Sequence, residues 1–238
     1  MKNIIVITLM LFMAFLTNAQ SIERSIENEL YTVYYSEAYQ QPINIKYSYP
    51  EYSTKYSLRP LLLPEGINYP NVKCSEYEWK TPTGILTSDN KDYENNDYDK
   101  GHLVPNSFFN EDEENLNFLF SYLNCGLMHK TLNQGLWREL EKYERSLYYD
   151  DNNVRVKVML TFSSDSKVVD GGATVPTYFT KIIEYGFPTF YIKSKGMTFK
   201  REVYSFPNDA SVKGKKIDAF KIESQSGEFT LYDYQEYE

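Results

Sequence analysis

Asp99-Lys100-Gly101-His102-Leu103-Val104-Pro105 puts a histidine at the end of a polar turn, ahead of an apolar step. Farther on, Leu132-Asn133-Gln134-Gly135-Leu136-Trp137-Arg138-Glu139-Leu140-Glu141 offers an amide and a carboxylate on one helix. Histidine is the side chain whose ordinary pKa lets it accept a proton near neutrality. The chain holds only 2, His102 and His129. Gly101 admits a backbone conformation or a close approach that a side chain would block. Asp99 is placed to orient the motif and Lys100 to meet a phosphate. Taken alone, these four residues fit a surface turn with an incidental histidine equally well.

The helix narrows the choice. Leu136, Trp137, Leu140, Tyr143 and Leu147 recur at helical spacing and predict a helix over 133–148. Asn133, Trp137 and Glu141 follow one another at four-residue steps and share a stripe, which Arg145 extends by a turn. Asn133 brings a neutral hard oxygen of the kind magnesium accepts. Magnesium keeps several waters, so one protein ligand plus phosphate oxygens is enough. Glu141 would then hold those waters by hydrogen bonds. A general base beside a weakly held hydrated cation is equipment for phosphodiester hydrolysis. The plain alternative is an amphipathic helix with Asn133 as its N-cap and Glu141 exposed. His129 reads as a structural residue rather than a second base.

The start of the chain has the layout of an export signal: basic Lys2, an apolar run from Ile4 to Leu16, then Thr17-Asn18-Ala19 as a cleavage site. Residues 1–19 are thus expected to be a signal peptide, with a retained anchor as the alternative. Residues 20–238 are expected to be one domain, secreted or periplasmic, with no membrane association once the signal is removed. The net charge of −8 argues mildly against tight nucleic-acid binding, but only the groove of a degrading enzyme has to be basic. The acidic segments 89–99 and 111–114 read as solvated loops. In an exported chain, Cys74 and Cys125 are expected to form a disulfide, against the alternative of two buried thiols. Two Cys and two His without close spacing do not make a zinc site.

Residues 22–30 read as short helix or coil, 43–49 as an edge strand, and 59–64 as a packed loop. Residues 116–123 read as strand or short helix. Val154-Arg155-Val156-Lys157-Val158-Met159-Leu160 alternates and then runs apolar, as a central strand does. Residues 163–173 form a loop, and 178–185, 189–192 and 201–206 are further strands. No repeat or low-complexity linker interrupts this, so the economical fold class is α+β.

Asp-x-Gly-His followed by Leu-Asn-Gln-Gly-x-Trp-x-x-Leu-Glu resembles the DNA/RNA non-specific endonucleases, of the ββα-metal (His-Me finger) type. The resemblance extends in patches from Trp79 to Asn208. Asn124 matches the asparagine before the helix. Val175-Pro176-Thr177-Tyr178-Phe179-Thr180-Lys181-Ile182 is similar to a family strand, and Phe206-Pro207-Asn208 to a later loop. It implies a central, mainly antiparallel sheet flanked by helices, with a ββα-metal core. It also implies magnesium-dependent cleavage of DNA and RNA without strong sequence preference, with manganese as a substitute metal. By position, His102 is the implied general base, Asn133 the metal ligand and Glu141 the carboxylate behind it. Asn124 and Arg145 would support the site and the phosphates, and Asp99 would orient the motif.

The chain departs from the family at three places. Lys100 stands where the family usually has arginine, which keeps the charge but loses the forked geometry. Leu127-Met128 stands where a Pro-Gln pair is usual. No arginine lies between Arg59 and Arg138, so an upstream cation has to come from Lys80, Lys100 or Arg145. Two rival readings follow: a degenerate, non-catalytic exported binding domain, and a phosphodiesterase for small phosphoesters.

Overall fold

The structure is a computed structural model that describes residues 23–49, 77–106, 113–150, 153–187 and 198–228. Its frame is a seven-stranded sheet in the order β1-β2-β3-β6-β7-β8-β9, every neighbouring pair antiparallel. The strands are β1 (Glu23–Glu27), β2 (Tyr31–Ser36), β3 (Gln41–Ser48), β6 (Asn153–Thr161), β7 (Tyr178–Phe187), β8 (Thr198–Pro207) and β9 (Lys221–Glu228). A separate two-stranded ribbon pairs β4 (Tyr98–His102) with β5 (Cys125–His129). Helix α1 (Glu113–Leu119) precedes β5. After β5 the chain enters a helical run kinked at Gly135: α2 (Lys130–Leu132), a turn (Asn133–Trp137) and α3 (Arg138–Tyr149). The observed fold is therefore α+β and mainly antiparallel, as expected, with a β4–β5–helix unit set against the sheet.

Alternation explains the sheet's inner face. In β6, Val154, Val156, Val158 and Leu160 are buried while Arg155 and Lys157 keep surface. They share one core with Ile45, Phe179 and Ile183 of the sheet and with Leu132, Leu136, Trp137, Leu140 and Leu147 of the helical run. Each such side chain contributes about 1.5–3 kcal/mol on burial.

Several expectations are corrected. The segment expected as short helix or coil over 22–30 is strand over most of its described part. Glu23–Glu27 is a strand, paired with β2 through a turn in which Asn28 Oδ1 accepts from the amides of Leu30 and Tyr31. Its polar sequence hid it because nearly every side chain on this outer strand faces water. The 43–49 strand is not at an edge. It lies between β2 and β6, and Tyr47 and Tyr49 are buried because their hydroxyls reach Glu144. The 89–99 segment is not simply solvated. Asp92 is fully buried, accepting from the amides of Asp89 and Ala173.

Residues 116–123 resolve into the end of α1 and a short 3-10 turn, Tyr122–Asn124. The expected disulfide is not formed. Cys125 is a free, buried thiol whose Sγ lies 3.0 Å from the Tyr93 hydroxyl, and burial pushes its pKa up to about 12. Residues 1–19, 59–64, 111–112, 189–192 and Cys74 lie outside the described residues. Among the described residues no helix is long and apolar enough to cross a membrane.

Candidate active site

The site grows from the β4–β5 ribbon. Gly101 faces Gly126 across the pair. A Cβ on Gly101 would come within 2.7 Å of Met128 Cβ, and one on Gly126 within 2.9 Å of Phe179 Cε1. Close approach of backbone to neighbour is what these two glycines serve. His102 ends β4, and the chain beyond it is held by Asn124. The Asn124 Oδ1 accepts from the Val104 amide at 2.7 Å, and its Nδ2 donates to Val104 O and Leu119 O at 3.2 and 3.1 Å. Asn124 is fully buried, so it supports His102 through the backbone and reaches no phosphate.

Pleating sends Lys100 and His102 to one face of β4 and Asp99 to the other. The His102 imidazole is enclosed by rings, 4.8 Å from Trp79 and, edge-on, 5.0 Å from Phe120 between centroids. Its Nε2 is buried with no hydrogen-bond partner among the described residues. Desolvation disfavours the imidazolium and lowers the pKa to about 4. A neutral imidazole with an unengaged ring nitrogen is a proton acceptor in waiting.

Lys100 is held in a cage. Its ammonium lies 5.8, 5.6 and 5.5 Å from the ring centres of Trp79, Tyr93 and Tyr122, and it donates to Asn90. Burial holds its pKa below the usual lysine range. Trp79 is thus shared by the base and the nearest cation. Lys80, the other upstream lysine, turns instead to Asn117 of α1.

On the other face, Asp99 Oδ2 accepts from Asn133 Nδ2 at 3.0 Å and from Gln134 Nε2 at 2.8 Å. A carboxylate only accepts, so the amide must present its nitrogen to Asp99. The carbonyl oxygen Oδ1 of Asn133 is left to face elsewhere. Asn133 is not the helix N-cap: His129 is, its Nδ1 accepting from the Thr131 amide at 3.2 Å. Asn133 opens the turn, where Gly135 takes the non-helical pair φ −106, ψ −108.

Trp137 ties the two halves together. Its indole Nε1 donates to His102 O at 3.0 Å, and the indole lies near enough to the Glu141 carboxyl to favour its charged form. Glu141 is not exposed. Burial raises its pKa to about 7, against the pull of Lys181, Arg145 and the indole, and with a push from Glu144. Behind it, Lys181 and Glu144 form an ion pair with both side chains fully buried, and Lys181 Nζ lies 4.1 Å from the Trp137 ring centre. Glu144 also accepts from Tyr47 Oη at 2.7 Å. Arg145, one turn past Glu141, is close enough to favour its charged form.

The structure therefore joins Asp99 to Asn133, His102 to Trp137, and Trp137 to Glu141, with Arg145 beside Glu141. Sequence reading missed Trp79, Phe120, Glu144 and the part played by Lys181. Glu144 and Lys181 carried the faint signal of charged residues inside apolar patterns.

Among the described residues no three His, Cys, Asp or Glu side chains converge on a metal position. An all-protein cage is thus not what this site offers. The donor set fits a different arrangement, an ion held by one neutral oxygen, Asn133 Oδ1, and otherwise by water and substrate. The preset orientation of that amide by Asp99 supports the fit.

No curated protein matches the sequence. Among solved structures, a chain of the EndoG/EndoGI complex, whose crystal structure concerns the mechanism of EndoG inhibition, matches with a TM-score of 0.65. The match has 18% identity and covers 85% of this chain and 81% of that one, which shows a shared fold. Residues 13–236 match the family model of the DNA/RNA non-specific endonucleases, nearly the whole chain, and the protein belongs to that family of metal-dependent enzymes cutting phosphodiester bonds.

Proposed function

We propose that the protein is an exported, magnesium-dependent endonuclease that hydrolyses DNA and RNA with little sequence preference. The observation carrying the catalytic reading is the ring-enclosed His102 with its unpartnered buried Nε2, tied through its carbonyl oxygen to Trp137 of the helical segment that begins at Asn133.

A phosphodiester would sit between His102 and the start of the helical run. His102 takes a proton from the attacking water, a role typically worth 10²–10⁴-fold. The hydroxyl so formed attacks phosphorus opposite the leaving oxygen. Asn133 Oδ1 would hold the cation, and Glu141 would orient water around it. When bound, a divalent cation there stabilises negative charge on the phosphate and the departing oxygen. Lys100 adds a fixed positive charge near the base. Its cage makes it a point charge rather than a forked phosphate clamp. Contacts of this kind read backbone rather than base edges, which supports activity on both DNA and RNA. Export rests on the sequence of residues 1–19 alone.

Purified mature protein should degrade plasmid DNA and structured RNA in magnesium, manganese should substitute, and EDTA should stop the reaction. His102→Ala should lower the rate by about 10²–10⁴ while the circular dichroism spectrum is unchanged. Full activity in that variant would remove His102 as the base. Accumulation of the processed protein outside the cytoplasm of an expressing bacterium tests export; retention of an unprocessed chain inside would end that part of the proposal.

A further inference from the structure

A concavity opens beside the start of the helical run. It encloses about 510 Å³ between the helical residues from Lys130 to Glu139 and the loop after β8 from Val212 to Lys215. Its charge is unlike that of the chain. The whole protein carries −8, yet this lining brings together Lys130, Lys213 and Lys215 with Glu139 as the acidic member. Lys130 pairs with Asp97 at the surface, whereas Lys213 and Lys215 stand exposed on the loop.

The loop is built rather than loose. Asp209 caps the short turn Ala210–Val212 by accepting from the Ser211 amide at 2.7 Å, and Val212 is buried in the core. The amides of Lys213 and Lys215 bond back to Ala210 O and Val212 O at 3.1 and 3.2 Å. Gly214 has φ +72, a left-handed conformation that favours glycine. A Cβ on Gly214 or on Gly135 would meet nothing within 4 Å, so both walls present bare backbone to open space. A bulky anion can therefore approach the lysines closely.

Gln134 links this groove to the catalytic side. It lines the groove, and its Nε2 donates to the same Asp99 oxygen that positions Asn133. We infer that the groove binds the phosphodiester backbone of the substrate a short distance from the bond being cut, with Lys213 and Lys215 each neutralising a phosphate. The inference rests on the nuclease reading and adds to it a second, non-catalytic anchoring site for nucleic acid. It also places a basic track on a protein of acidic balance, where binding to a polymer needs one.

The test measures binding and cleavage separately. In a His102→Ala background, a fluorescent 20-base-pair duplex is titrated at salt concentrations from 50 to 200 mM and followed by anisotropy. Replacing both loop lysines, Lys213→Ala with Lys215→Ala, should weaken binding about tenfold or more and reduce the log–log salt slope by about 2, because each phosphate contact contributes about 0.9. Lys46→Ala with Lys157→Ala, a pair facing each other across β3 and β6, should leave the slope unchanged. With His102 intact, the loop variant should raise KM for the duplex but cleave a dinucleotide diester, too short to reach the groove, at the normal rate.

An unchanged slope and affinity would overturn the groove, as would an equal loss in the sheet variant. A parallel loss of dinucleotide cleavage would show the lysines to act in the reaction instead. Tight retention of an acidic peptide with no response to duplex would assign the groove to a protein partner and also overturn the proposal. Absence of any cleavage by the wild-type protein would count against the nuclease reading, while the binding arm would still decide the groove.

Discussion

His102 and Glu144 are both withdrawn from water, and their surroundings are opposite in kind. Around His102 stand Trp79 and Phe120, and its buried Nε2 has no hydrogen-bond partner among the described residues. Around Glu144 stand Lys181, Tyr47 and Tyr49, all directing protons toward one carboxylate. The first setting makes a charge expensive, so the base stays neutral. The second fixes a charge by surrounding it with donors. Trp137 belongs to both: Lys181 lies over its ring, and its N–H goes to the His102 carbonyl. The contrast separates two duties that a sequence motif presents as one: keeping the base reactive and keeping it in place.

The comparison can be broken most forcefully from the charged side. Lys181→Met removes the cation and leaves Glu144 buried without its counter-ion. A loss of about 3–5 kcal/mol in denaturant unfolding is expected. Adding Glu144→Gln should recover much of it, since the lone charge is then gone. Equal midpoints for the wild type and the single variant would show the ion pair to be idle.

The aromatic side is tested by acid. His102 has a folded pKa of about 4, below the ordinary 6.5. Between those values the unfolded chain takes up a proton that the folded chain refuses, so stability falls as pH drops. Glu141, with its pKa raised to about 7, works the other way over part of the same window. The comparison is therefore with His102→Asn, which keeps Glu141. From pH 7 to pH 4 the wild type should lose about 3 kcal/mol relative to that variant in cation-free buffer. Parallel curves would mean that the imidazole is not held neutral.

The smallest effect belongs to the connection itself. Trp137→Phe keeps a ring over Lys181 but removes the N–H to His102 O. About 1–2 kcal/mol of stability should be lost, with a fall in kcat and a KM for duplex DNA close to normal. A fall in KM-dependent binding alone would place Trp137 in substrate contact and not in support of His102.

His102, Asn133 and Glu141 were legible because the motif states their spacing and one helix carries two of them. Asp99 was legible for the same reason, although its bond to Gln134 was not. Trp79 was not legible as a neighbour of His102, because it arrives from a distant extended segment bridged to Ser121. Glu144 looked like one more charge on a helix surface. It is buried because Tyr47 on β3 and Lys181 on β7 supply its protons, a convergence of three elements that local pattern does not record. Lys100 was expected to face phosphate alone, and the cage of three rings that restrains it comes from three separate stretches of chain. In the sheet, β6 and β7 were readable from alternation, whereas β1 and β9 gain their strand character from pairing.

Gly101 and Gly126 oppose each other where β4 meets β5, each pressed against a neighbour that leaves no room for a methyl group. The location of the imidazole is consequently dictated by how closely the Met128 and Phe179 side chains can press onto bare main chain. A library randomised over this ribbon and the residue before it should tolerate change at the exposed Asp97 and reject every replacement at these two. Survivors at either one would be expected to have shifted the whole strand, carrying the reactive ring out of register with the helix opposite.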